Sequence, residues 1–194
     1  GGGTGMIAHR FKGGTGTSSR KLDEKAGGYT VGVLVQANYG ARDLLRIAGV
    51  PVGKEITDLM PERIKNDDGA GSIIVVVATD APLLPHQLKR VVTRVSLGIA
   101  LVGGRGEDSS GDIFIAFSTA NPEASKTSGV AQLSMLPNEQ LNPLFRATVE
   151  ATEEAIVNAL VAAETMIGRD GNKVYALPHD RLREVIKKYG RGPK

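Results

Sequence analysis

With 194 residues, 41% of them hydrophobic and 23% charged, the chain is sized for one globular domain with a core of its own. It has no cysteine, which excludes disulfides, thiolate catalysis and Cys-ligated zinc and fits a reducing, cytoplasmic setting. A net charge of +3 with dispersed basic residues, and no apolar run near the roughly twenty residues of a membrane span, point away from nucleic-acid and membrane partners.

The chain opens with GGGTGMIAHRFKGGTG, two glycine clusters around a candidate strand from Met6 to Phe11. The clusters lack the Gly-Lys-Ser/Thr ending of a phosphate-binding loop, so they read as turns where strands pack closely. Tyr29 to Tyr39 (YTVGVLVQANY) is rich in β-formers and reads as a buried strand. Asn38, at its exit, is either a turn residue or a polar side chain facing a cleft. Leu44 to Val52 reads as a short strand ended by Gly49 and Pro51, and Lys54 to Gly71 as a long exposed loop.

That loop runs into the stretch that organises the chain, DDGAGSIIVVVATD from Asp67 to Asp80. Two glycines, Gly69 and Gly71, are followed by Ser72 and then by Ile73, Ile74, Val75, Val76 and Val77. Such a run of β-branched residues predicts a fully buried strand. A helix is expected from about Pro85 to Leu97, a strand over Gly111 to Ser118 and a partner strand over Thr127 to Met135. A long helix is expected over Pro137 to Met166, then a short strand over Lys173 to Leu177 and a final helix from Pro178. This order lacks regular strand–helix alternation, and antiparallel sheets with helices on their outer faces fit it best, an α+β class.

Conventional catalytic patterns are missing. His86 and His179 follow prolines and read as exposed helix-start residues, and His9 sits in the first candidate strand. No metal-ligand spacing and no Gly-x-Ser-x-Gly elbow occurs, so neither a metal nor an organic cofactor is implied. A serine without a histidine needs another base, and a serine at a chain N-terminus carries one in its α-amino group. With a reference pKa of about 7.7 to 8, that amine is partly neutral at physiological pH. Ser72 lies where a loose glycine segment meets a rigid strand. It is therefore a candidate to attack the carbonyl of Gly71 and emerge as both nucleophile and new N-terminus. The plain alternative is a serine that merely begins a strand.

Several stretches match a known pattern in order: GGGTGM, FKGGTGTSSR, VLVQANYG, GSIIVVVATDAPLLPHQL, SGDIFIAFSTAN and EATEEAIVNAL, which together span essentially the whole chain. They resemble the DmpA-type family of self-processing N-terminal-serine aminopeptidases, which includes L-aminopeptidase/D-Ala-esterase/amidase and the β-peptidyl aminopeptidases. The resemblance implies Ser72 as nucleophile and Gly71–Ser72 as the autocleavage bond, dividing the chain into an α part (1–71) and a β part (72–194). It implies Asn38 as an oxyanion donor, and Ser110 with Asp112 as the pair orienting the amine and hydroxyl, although some relatives carry Glu at the latter position. The implied fold is a four-layer αββα sandwich, layered like the N-terminal nucleophile hydrolases but connected differently. The implied assembly is a homo-oligomer of cleaved heterodimers acting on small peptides, amino-acid amides or esters. The resemblance also includes a further N-terminal segment with an acidic residue for the substrate amine. This chain starts at Gly1 without an initiator Met and is expected to be a fragment. The rival expectations are an acyltransferase of the ornithine acetyltransferase type and a relative that binds without cleaving.

Overall fold

The computed structural model describes residues 2–62 and 71–192. The expectations that fall on Asp67, Asp68, Gly69 and Ala70, the glycine-containing run before Gly71, lie outside the described residues.

In chain order the elements are β1 (Ile7–Ala8), β2 (Phe11–Lys12), β3 (Gly14–Lys21), β4 (Thr30–Asn38), α1 (Val52–Glu55), β5 (Ser72–Thr79), α2 (Pro85–Val92), α3 (Val95–Val102), β6 (Ile113–Ser118), α4 (Asn142–Val161), β7 (Met166–Ile167), β8 (Lys173–Val174) and α5 (His179–Lys188). Four strands form the main sheet in the order β3-β4-β5-β6, and β1-β2 and β7-β8 are small antiparallel pairs. The first three strands of the main sheet are antiparallel, but β5 and β6 run parallel, joined through α2 and α3. The sheet is therefore mixed and not purely antiparallel, because a helical crossover returns the chain to the same edge of the sheet.

Strand alternation decides which face is buried. Val31, Val33, Val35 and Ala37 of β4 lie opposite Thr79, Val77, Val75 and Ile73 of β5, and all eight are buried. Helix α4 covers this face across β3 and β4 and packs against α3. The opposite face carries Leu34, Ile74, Ile113, Ile115 and Phe117, and all five are exposed. The β-branched run of β5 is thus buried on one face only by this chain. The described residues supply one sheet and one helical layer of the α+β fold. The bare apolar face is of the kind on which another layer stacks.

Glycine sets how close the layers come. A Cβ on Gly16 of β3 would collide with the backbone carbonyl of Ala155 and reach 2.6 Å from the Ala159 amide, both in α4. A Cβ on Gly98 of α3 would lie 2.6 Å from the Thr152 Cβ. The small side chains of Ala155 and Ala159 complete the close crossing. Because the opposing atoms at Gly16 are helix backbone, Gly16→Val is expected to lower unfolding stability by about 3 kcal/mol, read from a chemical denaturation midpoint.

Three local expectations are corrected, and one strand has no sequence signal. Leu44 to Val52 is not a strand. Residues 48 and 49 turn with positive φ, so Ile47 bridges only to Val50, and helix α1 follows at once. The Pro85–Leu97 helix is two helices broken at Thr93 and Arg94. There the Thr93 hydroxyl donates to the Arg90 carbonyl and the Ser96 hydroxyl donates to the Thr93 carbonyl. Such local bonds compete with the helical ladder, and the break turns Gly98 onto α4. Thr127 to Met135 forms no strand, since the Asn121 side chain takes over the pairing by donating to the Ser134 carbonyl and accepting from its amide. Strand β3 was missed because Gly14–Lys21 reads GTGTSSRK, too polar and glycine-rich to signal a strand.

Buried polar groups brace the region before the candidate nucleophile. The Arg42 guanidinium stacks 3.3 Å from the Phe11 ring centroid and donates to the carbonyls of His9, Arg10, Ile56, Asp58 and Leu59. Burial pulls its pKa down to about 10, so it stays charged at neutral pH. The Lys12 ammonium donates to the carbonyls of Gly3, Met6 and Gly13, clamping the first glycine cluster over the β1–β2 hairpin.

His9, at the tip of that hairpin with φ of 48°, is fully buried and contacts the Ala41 carbonyl through Nδ1 at 2.9 Å. A carbonyl only accepts, so Nδ1 carries the proton of the neutral ring. Burial above all, with the Arg42 charge adding to it, lowers the His9 pKa from its ordinary 6.5 to about 4. The folded state therefore binds this proton less readily than the unfolded chain. The stabilisation is complete above about pH 6.5 and is lost as pH falls toward 4, by about 3 kcal/mol in all. His9→Asn tolerates the positive φ and can still donate to Ala41. It is expected to flatten the urea midpoint between pH 6.5 and 4, where the wild type declines.

Candidate active site

The strand pairing that builds the core also builds the site. Asn38, the last residue of β4, lies directly opposite Ser72, the first residue of β5. Gly71, just outside the strand, has φ of 144°, and a Cβ there would collide with the Asn38 carbonyl. Only glycine lets the chain enter β5 so close to β4. Ser72 is half-buried, and its Oγ accepts a hydrogen bond from the Gly111 amide at 2.9 Å. That bond orients the oxygen while leaving its proton free to be removed.

The segment leading into β6 supplies the acidic partner. Asp112 Oδ1 accepts from the Ile73 amide at 2.9 Å and from the Ser110 hydroxyl at 2.6 Å. The carboxylate is thus anchored one residue beyond the Gly71–Ser72 bond. Ser110, having spent its proton on Asp112, retains lone pairs that can accept from a neighbouring amine. On the other side, Asn38 Oδ1 accepts from the Ile7 amide at 2.9 Å. With its oxygen end so engaged, the Asn38 side chain keeps its NH2 end as a donor. The five residues singled out in the sequence, Asn38, Gly71, Ser72, Ser110 and Asp112, are therefore brought together at one end of the sheet.

Sequence reasoning passed over Tyr39. It is buried beside Asn38 and lines a small cavity with Gly71, Ser110 and Asp112. Its phenol is pushed well above its ordinary pKa, first by burial and then by the charge of Asp112. A tyrosine closing a β-rich run reads as core, and nothing local in the sequence signals this placement. His86 and His179 are exposed. Among the described residues no group of three or more His, Asp or Glu side chains could hold a metal ion, and no helix is long and apolar enough to cross a membrane.

A serine at the head of a central strand, preceded by a glycine in a conformation closed to other residues and flanked by an amide donor and a hydroxyl–carboxylate pair, has the makings of an N-terminal-nucleophile centre. Comparison with known proteins gives the family. The model for peptidase family S58 matches residues 1–174. Beta-peptidyl aminopeptidase BapA of Sphingosinicella microcystinivorans is 49% identical over 98% of this chain and 51% of its own length. The namesake from Sphingosinicella xenopeptidilytica is also 49% identical, over 96% of this chain and 49% of its own. Among solved structures, the L-aminopeptidase D-Ala-esterase/amidase of Ochrobactrum anthropi, described as a prototype for the serine aminopeptidases and a new variant among the Ntn hydrolase fold, superposes with a TM-score of 0.89. It is 50% identical, and the match covers 100% of this chain and 53% of that one. The chain belongs to peptidase family S58, and its fold is the α+β variant of the Ntn hydrolase fold that this relative represents. It spans about half the length of the curated relatives it matches.

Proposed function

We propose that the protein is a self-processing serine aminopeptidase, cut between Gly71 and Ser72 into the parts 1–71 and 72–194. In processing, Ser72 Oγ attacks the Gly71 carbonyl, and the peptide C–N bond breaks as a C–O ester bond forms. Water then hydrolyses the ester, leaving a carboxylate on Gly71 and a free amine on Ser72. That amine next accepts the Ser72 hydroxyl proton as Oγ attacks the carbonyl after a substrate's first residue. The leaving amine departs with a proton, and a second water releases the acyl group. Asn38 donates to the developing oxyanion, and Ser110, held by Asp112, orients the new amine. The substrates are small peptides, amino-acid amides and esters, and the working assembly is a homo-oligomer of cleaved heterodimers.

The observation that carries the reading is the convergence of Asn38, the Gly111 amide and the Ser110–Asp112 pair on Ser72 and its preceding bond. The names of the relatives, aminopeptidases of β-peptidyl and L-amino substrates, support the reaction class. Mass analysis of the denatured full-length protein tests it. Two fragments dividing at Gly71/Ser72 are expected, and a single species that still turns over substrate would overturn the proposal.

A further inference from the structure

Tyr39 sits next to the oxyanion donor, yet the chemistry above leaves its hydroxyl without a task. The ring is 6% exposed. It meets the His9 ring edge-on, with centroids 5.0 Å apart, and Gly104 opens a slot for it, since a Cβ there would lie 2.8 Å from the ring's Cε2. This packing holds the phenol in place. Its oxygen is buried and has no hydrogen-bond partner among the described residues. Protein interiors rarely leave a hydroxyl so placed without one.

The cavity that Tyr39 lines with Gly71, Ser110 and Asp112 has about 20 Å³ of room. That is enough for one water. Asp112, which lines the same cavity, has capacity to spare, since its Oδ1 takes bonds from Ile73 and Ser110 and an ionised carboxylate offers about four acceptor sites. The charge of Asp112 acts on the phenol, consistent with their sharing this space.

We propose that one water in this cavity accepts from the Tyr39 hydroxyl and donates to the Asp112 carboxylate, making Tyr39 a positioning residue for the Asp112–Ser110 pair. No bond is made or broken; the water and the phenol fix the face of the carboxylate that Ile73 and Ser110 do not hold. The kinetic consequence rests on the aminopeptidase reading, whereas the water site does not.

Two measurements on the full-length protein decide it. A crystal structure that resolves waters is expected to place one about 2.6 to 3.2 Å from both Tyr39 Oη and an Asp112 carboxylate oxygen, and Tyr39→Phe is expected to displace it. Tyr39→Phe keeps the ring and its packing. It is expected to lower kcat about tenfold with KM within about twofold and the thermal midpoint little changed. A dry cavity, a Tyr39 hydroxyl bonded elsewhere, or a Tyr39→Phe enzyme with wild-type kcat would each overturn the proposal. A wild type that neither processes nor turns over substrate sinks the aminopeptidase reading instead, and the crystallographic result then decides the water site alone.

Discussion

Ser72→Ala in the full-length protein is expected to run as one uncut chain on a denaturing gel and to lose turnover of amino-acid amides by at least about 10⁴-fold. The substitution removes one oxygen from a half-buried position at the head of β5. The fold depends on the inward face of that strand, Ile73, Val75, Val77 and Thr79, and is left alone. Loss of the nucleophile removes both proposed steps at once, because the same oxygen breaks the Gly71–Ser72 bond and then carries the acyl group. In other serine hydrolases, deletion of the nucleophile alone costs about as much as deletion of the whole catalytic set, on the order of 10⁶-fold. Ser72→Thr separates the two steps from a mere packing effect: it keeps a hydroxyl at Oγ and adds a methyl. Partial processing by threonine together with none by alanine points to the oxygen. An alanine variant that is cut at the same bond would sink the proposed mechanism, and so would equal activity in all three proteins.

What could be read in the sequence was what repeats locally. The β-formers of β4 and β5 placed those strands closely, and helical spacing found α4, although it runs Asn142–Val161, inside the expected Pro137–Met166 at both ends, and Met166 begins β7. The abrupt change from Gly71 to Ile73 located Ser72 as the joint between a loose and a rigid segment. The partners of Ser72 had no such local sign. Asn38 meets it through antiparallel pairing between strands far apart in the chain, and Ser110 and Asp112 arrive by a parallel crossover through two helices. Register over such distances leaves no period in the sequence: Asn38 showed only the ambiguous sign of a polar residue at a strand's exit, and the roles of all three residues came from family resemblance. Strand β3 was hidden because its inner face is set by Gly16, whose lack of a side chain is what admits α4. The apolar character of both faces of β5 was legible, but what covers Ile74, Ile113, Ile115 and Phe117 was not. In a four-layer sandwich a second sheet stacks there, and relatives about twice as long have the chain to build one.

Asn38→Ala is expected to lower kcat by about 10²- to 10³-fold, the usual effect of losing one oxyanion donor. Alanine removes two things, however. It deletes the NH2 group proposed to face the developing charge, and it frees the Ile7 amide that now donates to Asn38 Oδ1. The second loss alone loosens the β1–β2 hairpin and costs stability on the order of 1 kcal/mol. Asn38→Asp distinguishes them, because aspartate keeps an oxygen for Ile7 but has no donor and places a negative charge where the oxyanion forms. If Asn38 acts through its amide hydrogens, the aspartate variant should retain the wild-type denaturation midpoint and be at least as slow as the alanine variant. If Asn38 serves only to tether Ile7, aspartate should restore both midpoint and rate. Recovery of kcat to within about tenfold of wild type in Asn38→Asp would remove Asn38 from the oxyanion site and leave the Gly111 amide, already bound to Ser72 Oγ, as the nearest backbone donor to reconsider.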